Sequence, residues 1–123
     1  MTDIAVANLP LSPARFLELL STQEQLFTRL AELGAQQSQW IDQGEAEALL
    51  AVLAQRQPLV EALAQLNLQL EPYRQARTEL AERLTVEQRA IANDLLDRIA
   101  ALRQQILASD EQDTQRMQAT RAE

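Results

Sequence analysis

The side chains that could do chemistry in this protein are carboxylates and little else. The 123-residue chain has neither Cys nor His. Thiol nucleophiles, disulfides, Cys/His zinc sites and the imidazole general base are therefore ruled out. Two acidic groupings remain: Asp94 with Asp97, and Asp110 with Glu111 and Asp113. Paired carboxylates act as general acid and base when an enclosing pocket pushes their pKa values apart. These lie on polar helix surfaces, or in a chain end with no sequence reason to be enclosed, and they read as solvated acids. The Asp110–Asp113 stretch lacks the Gly and the terminal Glu of a calcium loop. A di-iron site in a helical bundle needs Glu-x-x-His pairs, and no Gly-rich phosphate loop occurs. The expectation is a protein with no catalytic activity, no cofactor and no metal.

Charge narrows the partner class. The formal net charge is −7, and all eleven cations are Arg. An acidic chain without a basic stripe lacks the counterion-releasing surface that drives nucleic-acid binding, and it offers nothing to an anionic membrane. No apolar run approaches the roughly 20 residues of a membrane span. Asp3 stands where a secretory signal would carry positive charge. Together these features predict a cytoplasmic protein.

What would position any working surface is helix. Leu, Ala, Glu, Gln and Arg, the residues that lose least on entering a helix, dominate the sequence. Residues 1–11, short, mixed and bounded by Pro10 and Pro13, read as a flexible lead-in, extended or disordered. Ser12-Pro13 is an N-cap followed by Pro at the first helical position. Phe16, Leu19, Leu20, Leu26, Phe27, Leu30 and Leu33 then recur at three- and four-residue steps, interrupted on the same stripe by Gln23 and Gln37. The first helix is predicted from Pro13 to about Ile41. Asp42-Gln43-Gly44 is a short connector, which makes the next helix an antiparallel neighbour.

The second helix carries Ala46, Leu49, Leu53, Val60, Leu63 and Leu70, flanked by Leu50, Leu59 and Leu66, with a kink predicted at Gln55 to Pro58. A short helix from Pro72 to Arg83 leads to Thr85-Val86-Glu87-Gln88, which matches a capping box. The last helix follows with Ile91, Leu95, Ile99, Leu102 and Ile106, widened by Leu96 and Leu107. Past Leu107 its seam turns polar at Ser109 and Asp113, and the segment from Asp110 has little to hold it down. The predicted fold is all-α: an elongated antiparallel bundle or coiled-coil hairpin of three long helices plus one short connecting helix. It spans residues 12–118 as one domain, with 119–123 as a frayed tail.

With reactive side chains set aside, the apolar stripe is the remaining candidate for function. Leu95, Ile99, Leu102 and Ile106 are either intramolecular core or a face offered to a partner helix, since three long helices cannot enclose every stripe along their whole length. Trp40 and Tyr73 read as core anchors near helix ends. Arg56, on the stripe between Leu53 and Val60, has two readings. Its head either snorkels to water or to the carbonyl freed by Pro58, or forms a buried ion pair with a Glu of another helix.

The segment Glu47-Ala48-Leu49-Leu50-Ala51-Val52-Leu53-Ala54-Gln55-Arg56-Gln57-Pro58-Leu59-Val60-Glu61-Ala62-Leu63-Ala64-Gln65-Leu66-Asn67 resembles the middle helix of the FlgN-type flagellar export chaperones. There an acidic-Leu-Leu run leads to a basic residue and then a Leu-x-x-Leu step. Ile99 to Asp113, with Ile106, Leu107, Asp110 and Asp113, is similar to that family's last helix. The resemblance covers roughly residues 13–118. It implies a cytoplasmic type III secretion chaperone that keeps hook-associated proteins (FlgK and FlgL type) unpolymerised before export. It also implies that cargo is held through the C-terminal amphipathic region, here Leu95, Leu96, Ile99, Leu102, Ile106 and Leu107. Family members can carry a tail Tyr that engages the export gate, and this tail has none. A self-associating coiled-coil adaptor, with a homodimer as its simplest form, is the alternative.

Overall fold

The computed structural model describes residues 11–122, and every element in that range is helical. Helix α1 spans Pro13–Gln43, α2 Ala46–Gln75, α3 Arg77–Arg83 and α4 Val86–Ala122. The fold is the all-α bundle the composition predicts. Most of the predicted lead-in lies outside the described residues. Leu11 is half-buried and packs against the core. At the other end α4 continues to Ala122, through most of the stretch expected to fray.

The ends of the helices follow local chemistry. The Ser12 hydroxyl accepts from the Arg15 backbone N–H at 3.2 Å, with Pro13 at the first helical position. Gly44 ends α1 at φ 68°, and its N–H and that of Glu45 donate to Ile41 and Trp40 carbonyls. An L side chain at Gly44 would be strained there. The capping box forms reciprocally: Gln88 N–H donates to Thr85 Oγ1 and Thr85 N–H to Gln88 Oε1, both at 3.0 Å.

One expectation about proline is corrected. Helix α2 runs unbroken through Pro58, as one helix and not two, and also through Pro72, so Pro72 opens no new helix. The break falls at Ala76 (φ −107°, ψ 36°), whose N–H still donates to the Pro72 carbonyl. The connecting helix is accordingly Arg77–Arg83, not Pro72 to Arg83. Pro58 is exposed, so its ring and the acceptor it leaves free face water and the helix is not forced to end.

Helix α1 is central. It packs along both α2 and α4, which scarcely touch one another. Cross-contacts give the directions. Gln23–Asn67 and Gln37–Arg56 run antiparallel, while Glu24–Arg98, Ser38–Asp113 and Asp42–Arg116 rise together. Because α1 faces two partners, its buried positions are doubled, as at Leu19 with Leu20 and Leu33 with Gly34. The main core joins Leu19 and Leu20 to Leu66, Leu70 and Tyr73 of α2, Leu80 of α3, and Ala92, Leu95 and Ile99 of α4. Tyr73 stacks on Phe16 with ring centroids 5.4 Å apart, which makes Tyr73 the core anchor the sequence suggested.

The seams of α2 and α4 correct the predicted stripes. On α2 the enclosed positions are Val52, Arg56, Leu59, Leu63, Leu66, Leu70 and Tyr73, alternating steps of four and three. Leu53 and Val60, taken as stripe residues, are exposed. On α4 the seam is Ala92, Leu95, Ile99, Leu102, Ile106, Ser109, Asp113 and Arg116, with Ile91 outside it. A 3.5-residue repeat of this kind keeps one seam facing its partner over many turns.

Gly34 needs no special backbone: it lies within α1, and nothing approaches within 4 Å of where a Cβ would stand. Gly34→Ala is expected to stabilise the protein by about 0.5–1 kcal/mol through reduced unfolded-state entropy. Chemical denaturation would check it, and a loss of stability would reveal packing too tight for one methyl group.

Candidate functional site

The six residues proposed for cargo contact do not share one environment. Leu95 and Ile99 are sealed into the main core. Leu102 and Ile106 are half-buried along the seam. Leu96 and Leu107 stand outside, 45 % and 61 % exposed. The accessible pair belongs to the row Leu96, Ala100, Arg103, Leu107, Asp110, which winds along α4 at steps of four and three. Leu53, Arg56 and Val60 make a matching row on α2. Because Arg56 of one row is paired with Asp110 of the other, the rows face each other across the cleft between α2 and α4. The Arg103 guanidinium lies over the Phe27 ring of α1, 5.6 Å from its centroid. The result is a trough with α1 beneath it and exposed leucine and valine on its rims.

At one end of this trough the three long helices are joined by a polar cluster. Arg56 makes a two-pronged contact with Asp110, Nη1 to Oδ1 at 2.9 Å and Nη2 to Oδ2 at 2.8 Å. The same Nη1 also donates to Gln37 Oε1. Gln37 turns its Nε2 to Asp113 Oδ2 at 2.9 Å, and Ser38 Oγ donates to the same carboxylate, 2.8 Å from Oδ1. Arg116 Nη2 donates to Asp113 Oδ1 at 2.6 Å and also pairs with Asp42 in the last turn of α1. Asp113 is only 1 % exposed. A carboxylate so enclosed is tolerable only when, as here, every side of it meets a donor.

The cluster overturns the reading of Asp110 and Asp113 as solvated acids in a loosely held tail. It also decides between the two readings of Arg56. The side chain neither snorkels nor reaches the carbonyl freed by Pro58; it pairs across helices, with Asp110 of α4 and not with a Glu. The hydrogen bond it donates to Asp110 holds the Arg56 guanidinium more strongly protonated than usual, against some desolvation, and the bond to Asp113 does the same for Arg116. A raised pKa on a cation means its stabilising contribution is present below the ordinary value and lost only as pH rises through the higher folded value. The arginines therefore keep their charge at any pH near neutrality.

The remaining acids do not converge. Asp94 pairs with Arg98 on the surface at 2.9 Å, and Asp97 and Glu111 are exposed. Among the described residues no group of three acids is arranged to hold a metal ion. A second shallow groove, between α1 and α4, is lined by Glu24, Thr28, Arg98, Ala101, Leu102 and Gln105 and carries one ion pair, Arg98 with Glu24 at 3.0 Å. Among the described residues no helix is long and apolar enough to cross a membrane.

Sequence reasoning flagged Gln37, Arg56, Ser109 and Asp113 individually as polar interruptions of apolar stripes, but it did not place them together. The available signal was that each falls on a seam position. What it lacked was the register between helices.

The architecture is thus that of a three-helix bundle, open along one side, with a polar clasp at one end. Comparison with known families, curated proteins and solved structures finds no match to the chain.

Proposed function

We propose that this protein is a non-enzymatic, cytoplasmic helix-binding protein acting as an export chaperone of the FlgN type. In this reading it holds the helical termini of hook-associated flagellar proteins (FlgK and FlgL type) and prevents their premature assembly. The observation that supports it is the apolar surface left on the facing sides of α2 and α4, where Val60, Leu96 and Leu107 are exposed. Helix-in-groove recognition uses such a surface: an amphipathic helix lays its apolar face where a fourth bundle helix would otherwise sit. Leu95, Ile99 and Leu102 then act indirectly, by fixing α4 on α1, while Leu96, Leu107 and the half-buried Ile106 meet the cargo.

The test uses substitutions on the rim and spares the core. Leu96→Asp with Leu107→Asp is expected to lower affinity for a hook-associated protein terminus at least 30-fold, with helical circular dichroism unchanged. Ile99→Asp would be uninformative, because that residue is core. Undiminished capture by the double variant would sink the reading. If instead the wild-type chain forms a stable dimer by light scattering and the same two substitutions make it monomeric, a second copy occupies the trough. The protein is then the self-associating adaptor.

A further inference from the structure

We infer that the C-terminal part of α4, from Leu107 onward, is a separately releasable arm. It is latched to the α1/α2 hairpin chiefly by charge and hydrogen bonds. The inference is independent of what the protein binds. From 107 to 119 no apolar side chain is buried: Leu107, Ala108, Met117 and Ala119 are all exposed. The enclosed or half-enclosed positions of this segment are Ser109, Asp110, Asp113 and Arg116. Its attachment is therefore chiefly the polar cluster, Asp110 to Arg56, Asp113 to Gln37 and Ser38, and Arg116 to Asp42. N-terminal to it, Ala92, Leu95 and Ile99 belong to the apolar core.

The two halves of α4 thus differ in what holds them. Apolar burial contributes net stability in proportion to area. Enclosed ion pairs give back most of their Coulombic gain as desolvation. Regions with few buried apolar contacts open locally, below the free energy of global unfolding. Once detached, a helical end of about 15 residues is marginal in water and melts, which makes release cooperative.

Two apolar side chains lie beside the clasp. Leu33 and Val52 are 0 % and 2 % exposed, each one turn before a clasp residue, Gln37 and Arg56 respectively.

Hydrogen exchange on the wild-type chain, read residue by residue, tests the latch. Amides from 107 to 116 are expected to exchange at one common opening rate, at least 100-fold faster than those from 92 to 99, with a step between Leu102 and Leu107. Because the chain has no native cysteine, Val52→Cys supplies a second readout. Its thiol should react with a soluble disulfide reagent at the arm's opening rate, and at least tenfold faster when Asp113→Ala is added. Leu19→Cys, beneath the apolar half, should stay protected in both backgrounds. A smooth gradient of exchange toward the terminus would be ordinary fraying and would overturn the inference. Equal protection in both halves of α4, or an Asp113→Ala effect spread evenly over the whole chain, would overturn it too.

Discussion

Leu20→Ala is expected to lower the unfolding free energy by about 3–4 kcal/mol, a shift in midpoint temperature of roughly 10 °C for a domain of this size. Leu20 is 2 % exposed and belongs to the cluster that joins α1 to Leu66 and Leu70 of α2 and to Leu95 and Ile99 of α4. Truncation removes the transfer free energy of three carbons and leaves a cavity between three rigid helices, none of which can close it without losing contacts to the other two. Leu50 and Leu68, both well exposed on α2, supply the contrast: alanine there should change stability by no more than about 0.5 kcal/mol. Urea titration of the three variants decides the matter. A Leu20→Ala cost below about 1 kcal/mol would mean that the helices are not packed around that side chain.

The second large effect concerns the clasp, and its sign depends on how many partners are removed. Arg56→Ala should cost about 2–3 kcal/mol. It deprives Asp110 of both its prongs and Gln37 Oε1 of its donor, leaving polar groups in a desolvated layer without partners. The value sits at the low end of what breaking an enclosed ion pair costs because the Asp110 side chain is 36 % exposed and regains some hydration. Replacing both partners, Arg56→Met with Asp110→Leu, is expected to be neutral or stabilising by about 1 kcal/mol. The desolvation penalty then disappears together with the pair. The measurement is a double-mutant cycle by denaturation. A double replacement as costly as the single one would show that the pair contributes net stability in its own right.

The two results would describe a bundle fastened in two ways. One end is held by area removed from water, and the other by directional bonds between charges. The first tolerates small shifts of one helix against another. The second does not, because a two-pronged guanidinium–carboxylate contact is satisfied in only one geometry. The clasp thus fixes the register of α4 on the hairpin even if it adds little free energy.

Much of the fold was legible in the residues. Composition alone dictated helix throughout, since few side chains suit a strand. Ser12-Pro13, Gly44 and Thr85 with Gln88 marked helix ends within a few residues, because caps are local chemistry between side chains and the backbone a turn away. The polar breaks at Gln23, Gln37, Arg56, Ser109 and Asp113 were equally visible. Two features needed the tertiary structure. Helix α2 has Leu or Val at 49, 50, 52, 53, 59, 60, 63, 66, 68 and 70, on more than one face, so its periodicity fits more than one seam. Only the position of α1 decided that Val52 and Leu66 go in while Leu53 and Val60 stay out. The cross-helix partners of these polar residues lie 19 to 76 positions apart in sequence, and no local rule reaches that far. Spacing along one helix fixes which residues share a face; which face meets which is set by packing three helices at once.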